Sequence, residues 1–158
     1  MSFFRNNNSI FIILIGVVGL MRAQNPPTHW VQLQDTVYQV QKGRNNITLK
    51  FVIAHGYHIQ ANEEVMDWVL PSKLQMDSIN GVSAVSMYFP KAHDFYLLGI
   101  DAPLKVFSNT LVVELEFEIT ETYDSSILWN GGLSYQACDG KQCFYPRILP
   151  FTLQLAFY

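Results

Sequence analysis

Residues 111–120 read Leu111-Val112-Val113-Glu114-Leu115-Glu116-Phe117-Glu118-Ile119-Thr120. Leu111, Val113, Leu115, Phe117 and Ile119 fall on one side of an extended chain. Val112, Glu114, Glu116, Glu118 and Thr120 fall on the other. A helix would scatter the three glutamates around its surface, whereas a strand half-buried against a core gathers them on one wet face. The period is two, and the stretch predicts a β-strand.

The same alternation recurs on both sides of it. Ile47, Leu49, Phe51 and Ile53 alternate with Thr48, Lys50, Val52 and Ala54, and Phe151, Leu153, Leu155 and Phe157 alternate with Thr152, Gln154 and Ala156. Further strands are expected over residues 30–40, 83–89, 104–107 and 133–138. Turn-forming residues punctuate them: Lys42-Gly43, Asn80-Gly81, Ser108-Asn109, Asn130-Gly131-Gly132 and Asp139-Gly140. One helical candidate, residues 63–69, is acidic at its start and stops before Pro71; it reads as a turn or a single helical turn. Seven or eight short strands predict an all-β chain, two packed antiparallel sheets in an immunoglobulin-like β-sandwich.

Composition supports that class. A chain of 158 residues is enough for one domain, and 49% apolar with 15% charged residues suits a packed core rather than disorder. Eleven Phe, eight Tyr and three Trp, with many Val, Ile and Thr, favour strands.

The N-terminus reads as an address. Arg5 precedes an apolar run from Ile10 to Met21, and Arg22-Ala23-Gln24 follows. A basic start, a short apolar stretch and a small exit residue describe a secretory signal peptide over residues 1–23, with a domain over 24–158. The apolar run is short for a bilayer span, which takes about 20 residues. Removing 1–23 takes away two arginines and no acid, so the formal charge of −3 becomes more negative by two. A mildly acidic surface offers no footprint for nucleic acid. No later segment is apolar and long enough to insert stably in a membrane, and export makes a disulfide admissible.

Chemistry concentrates at Cys138-Asp139-Gly140-Lys141-Gln142-Cys143. A strand leads into Cys138, four residues follow, and Asp139-Gly140 supplies turn residues, so the cysteines are expected opposite each other at the base of a hairpin. Their Cα separation is expected near the 5.5 Å or so that a disulfide favours. Three uses are compatible with the spacing. A staple would contribute about 2 kcal/mol, little for so short a loop. An exposed, exchangeable pair would be open to a partner thiolate, with Lys141 favouring thiolate and Asp139 opposing it. A copper or zinc site would need further ligands such as His93; the four histidines lack the spacing of a zinc finger, and surface or half-buried roles suit them better.

The hairpin and two upstream segments resemble a known family. Tyr135-Gln136-Ala137-Cys138, four residues, Cys143, and then Tyr145-Pro146 is similar to the active-site hairpin of the N-terminal periplasmic domain of the thiol:disulfide interchange protein DsbD. Gly56-Tyr57-His58-Ile59 resembles that family's glycine-aromatic strand beside the cysteines, and Asp94-Phe95-Tyr96 resembles its cap loop. The resemblance spans about residues 30–155 and implies an immunoglobulin-like fold. It implies a dithiol shuttle without metal or organic cofactor, passing electrons to periplasmic thioredoxin-like proteins. Cys143 would form the mixed disulfide with the partner and Cys138 would resolve it. Phe95 would be the cap aromatic shielding the sulfurs, with Asp94, Tyr96, Tyr57, Tyr135 and Pro146 as cap or partner-binding neighbours. Family members usually continue into a multi-span membrane domain and a thioredoxin-like domain, so this chain is expected to draw electrons from a separate membrane or periplasmic donor. The alternative is a non-catalytic exported binding or structural sandwich in which the disulfide is a staple.

Overall fold

The computed structural model describes residues 29–158, apart from 64, 65, 122 and 124. The expected signal peptide over 1–23 lies outside the described residues. Among the described residues twelve strands are formed: β1 (Val31–Leu33), β2 (Val37–Val40), β3 (Gly43–Ile53), β4 (His58–Gln60), β5 (Lys73–Met76) and β6 (Val82–Tyr88). They are followed by β7 (His93–Phe95), β8 (Leu104–Ser108), β9 (Thr110–Ile119), β10 (Ile127–Tyr135), β11 (Ala137–Cys138) and β12 (Arg147–Phe157). Among the described residues there is no helix, hence none long and apolar enough to cross a membrane.

The alternation in 111–120 sets the main sheet. β9 lies between β3 and β6, with β1 beyond β3. Ile47 faces Leu115, Leu49 faces Val113 and Phe51 faces Leu111, all six buried. On the opposite face Arg44 lies across from Glu118, Asn46 from Glu116 and Thr48 from Glu114, where water solvates the charges. A second sheet, in the order β2-β12-β10-β5, contributes Trp129, Leu133, Leu153 and Leu155 to the same core. Phe117 meets Trp129 edge-on at 5.0 Å and Phe51 meets Phe151 at 5.8 Å, so the two sheets close face to face as an all-β, immunoglobulin-like sandwich.

Three local expectations are corrected. Residues 30–40 are two strands: β1 pairs with β3 in one sheet and β2 with β12 in the other. The chain crosses between sheets at 34–36, where Gln34 N–H bonds to Lys50 and Thr36 C=O accepts from Gln154. The β2–β12 pairing is parallel, in a fold otherwise antiparallel. Asn130-Gly131-Gly132 is no turn but the middle of β10. A Cβ on Gly131 would lie 2.5 Å from Met76 Sδ and 2.9 Å from the Gln75 carbonyl, so glycine there permits close strand approach. The segment 63–69, expected as a turn or a single helical turn, forms a turn over its described end, with Val69 N–H donating to the Met66 carbonyl.

A third sheet, in the order β11-β4-β8-β7, stands at one end of the sandwich. β8 runs through Asn109, at φ 62°, directly into β9, which anchors the small sheet to the large one. Asparagine is among the few residues that tolerate this left-handed conformation. The small sheet has its own core: Val69, Leu97, Leu104, Val106 and Cys138, covered by Met66, Phe95, Ile100 and Cys143.

Candidate active site

Cys138 and Cys143 are joined in a disulfide, with Cα atoms 3.9 Å apart. This is closer than the roughly 5.5 Å expected, for a reason in the hairpin itself. Asp139 N–H donates to Gln142 C=O at 2.9 Å and Phe144 N–H to Ala137 C=O at 2.8 Å. Those bonds flank the cysteines and make them a non-hydrogen-bonded antiparallel pair, the closer of the two pair types. Asp139 closes the loop by accepting from the backbone N–H groups of Lys141 and Gln142 at 2.8 and 2.9 Å.

The two sulfurs differ in surroundings. Cys138 is fully buried within the small apolar core. Cys143 is half-buried and lines an open groove with Gln136, Gln142, Phe144, Tyr145 and Pro146. Tyr145 is 92% exposed on that groove, an uncovered aromatic in the same groove as Cys143.

Three strands position what surrounds Cys138. In the β11–β4 ladder Cys138 is registered with His58, and His58 with Ser108 of β8. His58 Nδ1 is hydrogen-bonded to Ser108 Oγ, which is 2.9 Å from His93 Nε2. Burial first, and the neighbouring His93 second, hold the His58 imidazole below its ordinary value, favouring the neutral ring. Phe95 of β7 stacks on His58 with centroids 4.0 Å apart and packs on the Cys138 cluster. Asp94, exposed, pairs with Lys105 across the β7–β8 ladder, and that bond raises the lysine above its usual range.

The remaining candidates divide by side-chain direction. Tyr57 points to the opposite face from His58 and joins Trp30 and Phe144 in an aromatic cluster, with ring separations of 4.6–5.9 Å. The Arg147 guanidinium lies 3.9 Å over the Trp30 ring. Pro146 is exposed on the groove. Tyr96 is 68% exposed, one residue past the stacked Phe95. Tyr135 shares the inward face of β10 with Leu133 and is 2% exposed, and burial raises its phenol above the usual range.

Sequence reasoning missed Gln60. This residue is 1% exposed, and its Nε2 lies 3.1 Å from Cys138 Sγ and 3.9 Å from Cys143 Sγ. Gln136, quoted only as part of a motif, ties the hairpin to its surroundings. Its side-chain oxygen accepts from Leu70 N–H at 2.8 Å, and its Nε2 donates to the Phe144 carbonyl at 3.0 Å. Among the described residues no group of three His, Cys, Asp or Glu side chains could hold a metal, and His93 Nε2 is engaged with Ser108 Oγ.

A β-sandwich bearing one disulfide on a small accessory sheet defines the class: an all-β domain with a redox-capable Cys pair. Among solved structures the chain is similar to the N-terminal periplasmic domain of ScsB from Proteus mirabilis, at 17% identity and TM-score 0.52. That match covers 80% of this chain and 44% of the other, so the chain spans less than half of that structure's length. The chain also aligns with the reduced N-terminal domain of DsbD from Neisseria meningitidis, at 16% identity and TM-score 0.40, over 69% and 76% of the two chains. No family model and no curated protein sequence matches it. In fold, the chain is similar to the N-terminal periplasmic domain of ScsB.

Proposed function

We propose that this chain is a thiol-disulfide exchange module of the periplasm, using Cys138 and Cys143 to pass electrons to thioredoxin-like proteins. The observation that carries this reading is the unequal placement of the two sulfurs: Cys143 opens on a groove while Cys138 is sealed behind it. A partner can reach one sulfur only, and that sets the order of events. In the reduced protein the Cys143 thiolate attacks a disulfide sulfur of the partner, forming a mixed disulfide and releasing one partner thiolate. The Cys138 thiolate then attacks Cys143 Sγ, closing the intrachain bond and freeing the partner as a dithiol. Two electrons leave this chain and enter the partner, and no other co-reactant is consumed.

The surroundings support this use. Phe144, Tyr145 and Pro146 give the groove an apolar rim on which a partner can dock. The hairpin is already closed by its ladder bonds and by Asp139, which leaves the disulfide little to add as a staple. Electrons would come from a separate membrane or periplasmic donor, and residues 1–23 would export the chain.

Mixed-disulfide trapping tests the reading. The probe is a thioredoxin-like protein lacking its second cysteine and activated as a thionitrobenzoate mixed disulfide. Cys138→Ser is expected to form a stable covalent complex through Cys143, and Cys143→Ser to form little. Equal trapping by both variants, or by neither, overturns the assignment.

A further inference from the structure

We propose that Gln60 is a catalytic residue of this exchange: its side-chain amide hydrogen-bonds the Cys138 sulfur and stabilises that sulfur when the disulfide opens. The inference rests on the exchange reading above and adds the group that makes the buried sulfur a workable leaving group.

Cys138 is enclosed by Val69, Leu97, Leu104 and Val106. A thiolate in such apolar company is disfavoured unless a donor faces it. Gln60 Nε2 is that donor, 3.1 Å from the sulfur and nearer to it than to Cys143. The backbone of Gln60 is fixed on both sides, since its N–H donates to Gln136 C=O and its C=O accepts from Ser72 Oγ. The amide is therefore aimed rather than adrift.

The other end of the amide carries the second observation. Gln60 Oε1 is buried and has no hydrogen-bond partner in this oxidised state. A purely structural glutamine gains nothing from an orphaned carbonyl. In the reduced protein the Cys138 thiol has an S–H to donate, and a half-turn of the amide presents Oε1 to it. An anionic sulfur accepts the Nε2–H bond more strongly than a disulfide sulfur does, and the thiol can donate to Oε1. The amide thus favours the reduced pair over the oxidised one.

With glutathione as reductant, its thiolate attacks Cys143 Sγ, and a glutathione–Cys143 bond forms as the Cys138–Cys143 bond breaks. The electron pair departs on Cys138 Sγ, where Gln60 Nε2–H meets it. A second glutathione thiolate attacks the sulfur of the first, releasing Cys143 as a thiolate and oxidised glutathione; water supplies the protons.

The test is the redox equilibrium of the full chain with glutathione, measured for wild type and Gln60→Met, which keeps length and removes the amide. Gln60→Met is expected to lower the equilibrium constant for reduction about tenfold, close to 30 mV for a two-electron couple. In a Cys143→Ser background, the same change is expected to move the ultraviolet thiolate transition of Cys138 to higher pH. A merely structural role would shift melting and leave both readouts in place. Should Gln60→Met fail to fold, the wild type decides: reduction must move the NMR signals of the Gln60 side-chain amide more than those of Gln136. A folded Gln60→Met with an unchanged equilibrium, or Gln60 signals indifferent to reduction, overturns the proposal alone. A wild-type disulfide that glutathione cannot open overturns the exchange reading, and this proposal with it.

Discussion

Phe95 stacks on His58 with ring centroids 4.0 Å apart, and His58 is the residue registered with Cys138 in the neighbouring strand. The aromatic ring, the imidazole and the buried cysteine are thus brought together by three strands of one small sheet. This relationship gives the proposed cap a physical definition. The cap side chain belongs to an edge strand, β7, rather than to a free loop, and it rests on the apolar cluster that encloses Cys138.

Truncating that ring should expose the disulfide to small thiols. A half-buried phenylalanine holds its place with about 1 kcal/mol of apolar burial. Phe95→Ala is therefore expected to speed reduction by glutathione about fivefold, with a small loss of melting temperature. Stopped-flow reduction monitored by thiol release would check it; a rate equal to wild type removes Phe95 as a cap.

His58 should make stability depend on pH. Its folded-state value lies below the ordinary 6.5, so the unfolded chain takes up a proton at higher pH than the native protein does. Stability from the neutral imidazole is complete above the unfolded value and declines as pH falls through the folded one. Melting curves between pH 7 and pH 5 should fall more steeply for wild type than for His58→Asn. Parallel curves would show that the ring is not held neutral by the fold.

Removing the disulfide should cost little. Closing a loop of about six residues is worth about 2 kcal/mol, and the hairpin keeps its Asp139 turn and flanking backbone bonds. Cys138→Ala with Cys143→Ala is expected to fold, with a destabilisation near that figure by urea titration. A loss well beyond it, together with no exchange against thioredoxin-like probes, would favour the staple.

The two faces of β9 should respond oppositely to mutation. Leu115 is fully buried between the sheets, and Leu115→Ala is expected to cost about 3 kcal/mol. Val112, on the other face, is 37% exposed, and Val112→Ala should change stability by less than about 0.5 kcal/mol. Denaturant midpoints for the two variants that coincide would contradict the burial of the sandwich.

The sequence by itself determined the strands whose faces differ and the one hairpin that carries sulfur. Alternation in 111–120 states which side chains avoid water, and the four residues between Cys138 and Cys143 leave them few ways to avoid meeting. Both are local facts, set by the two-residue period of a strand and by short-loop geometry. Local signals also misled: a Gly-Gly pair resembles a turn until Met76 and Gln75 are seen crowding against Gly131. Only the tertiary structure decided which sheet each strand joins, that residues 30–40 divide between sheets, and that a third sheet forms. It also decided that Cys138 is sealed while Cys143 is open, and that Gln60, 78 residues away in the chain, faces the sulfur. Those outcomes depend on pairing between distant segments, whose partners no period or spacing announces.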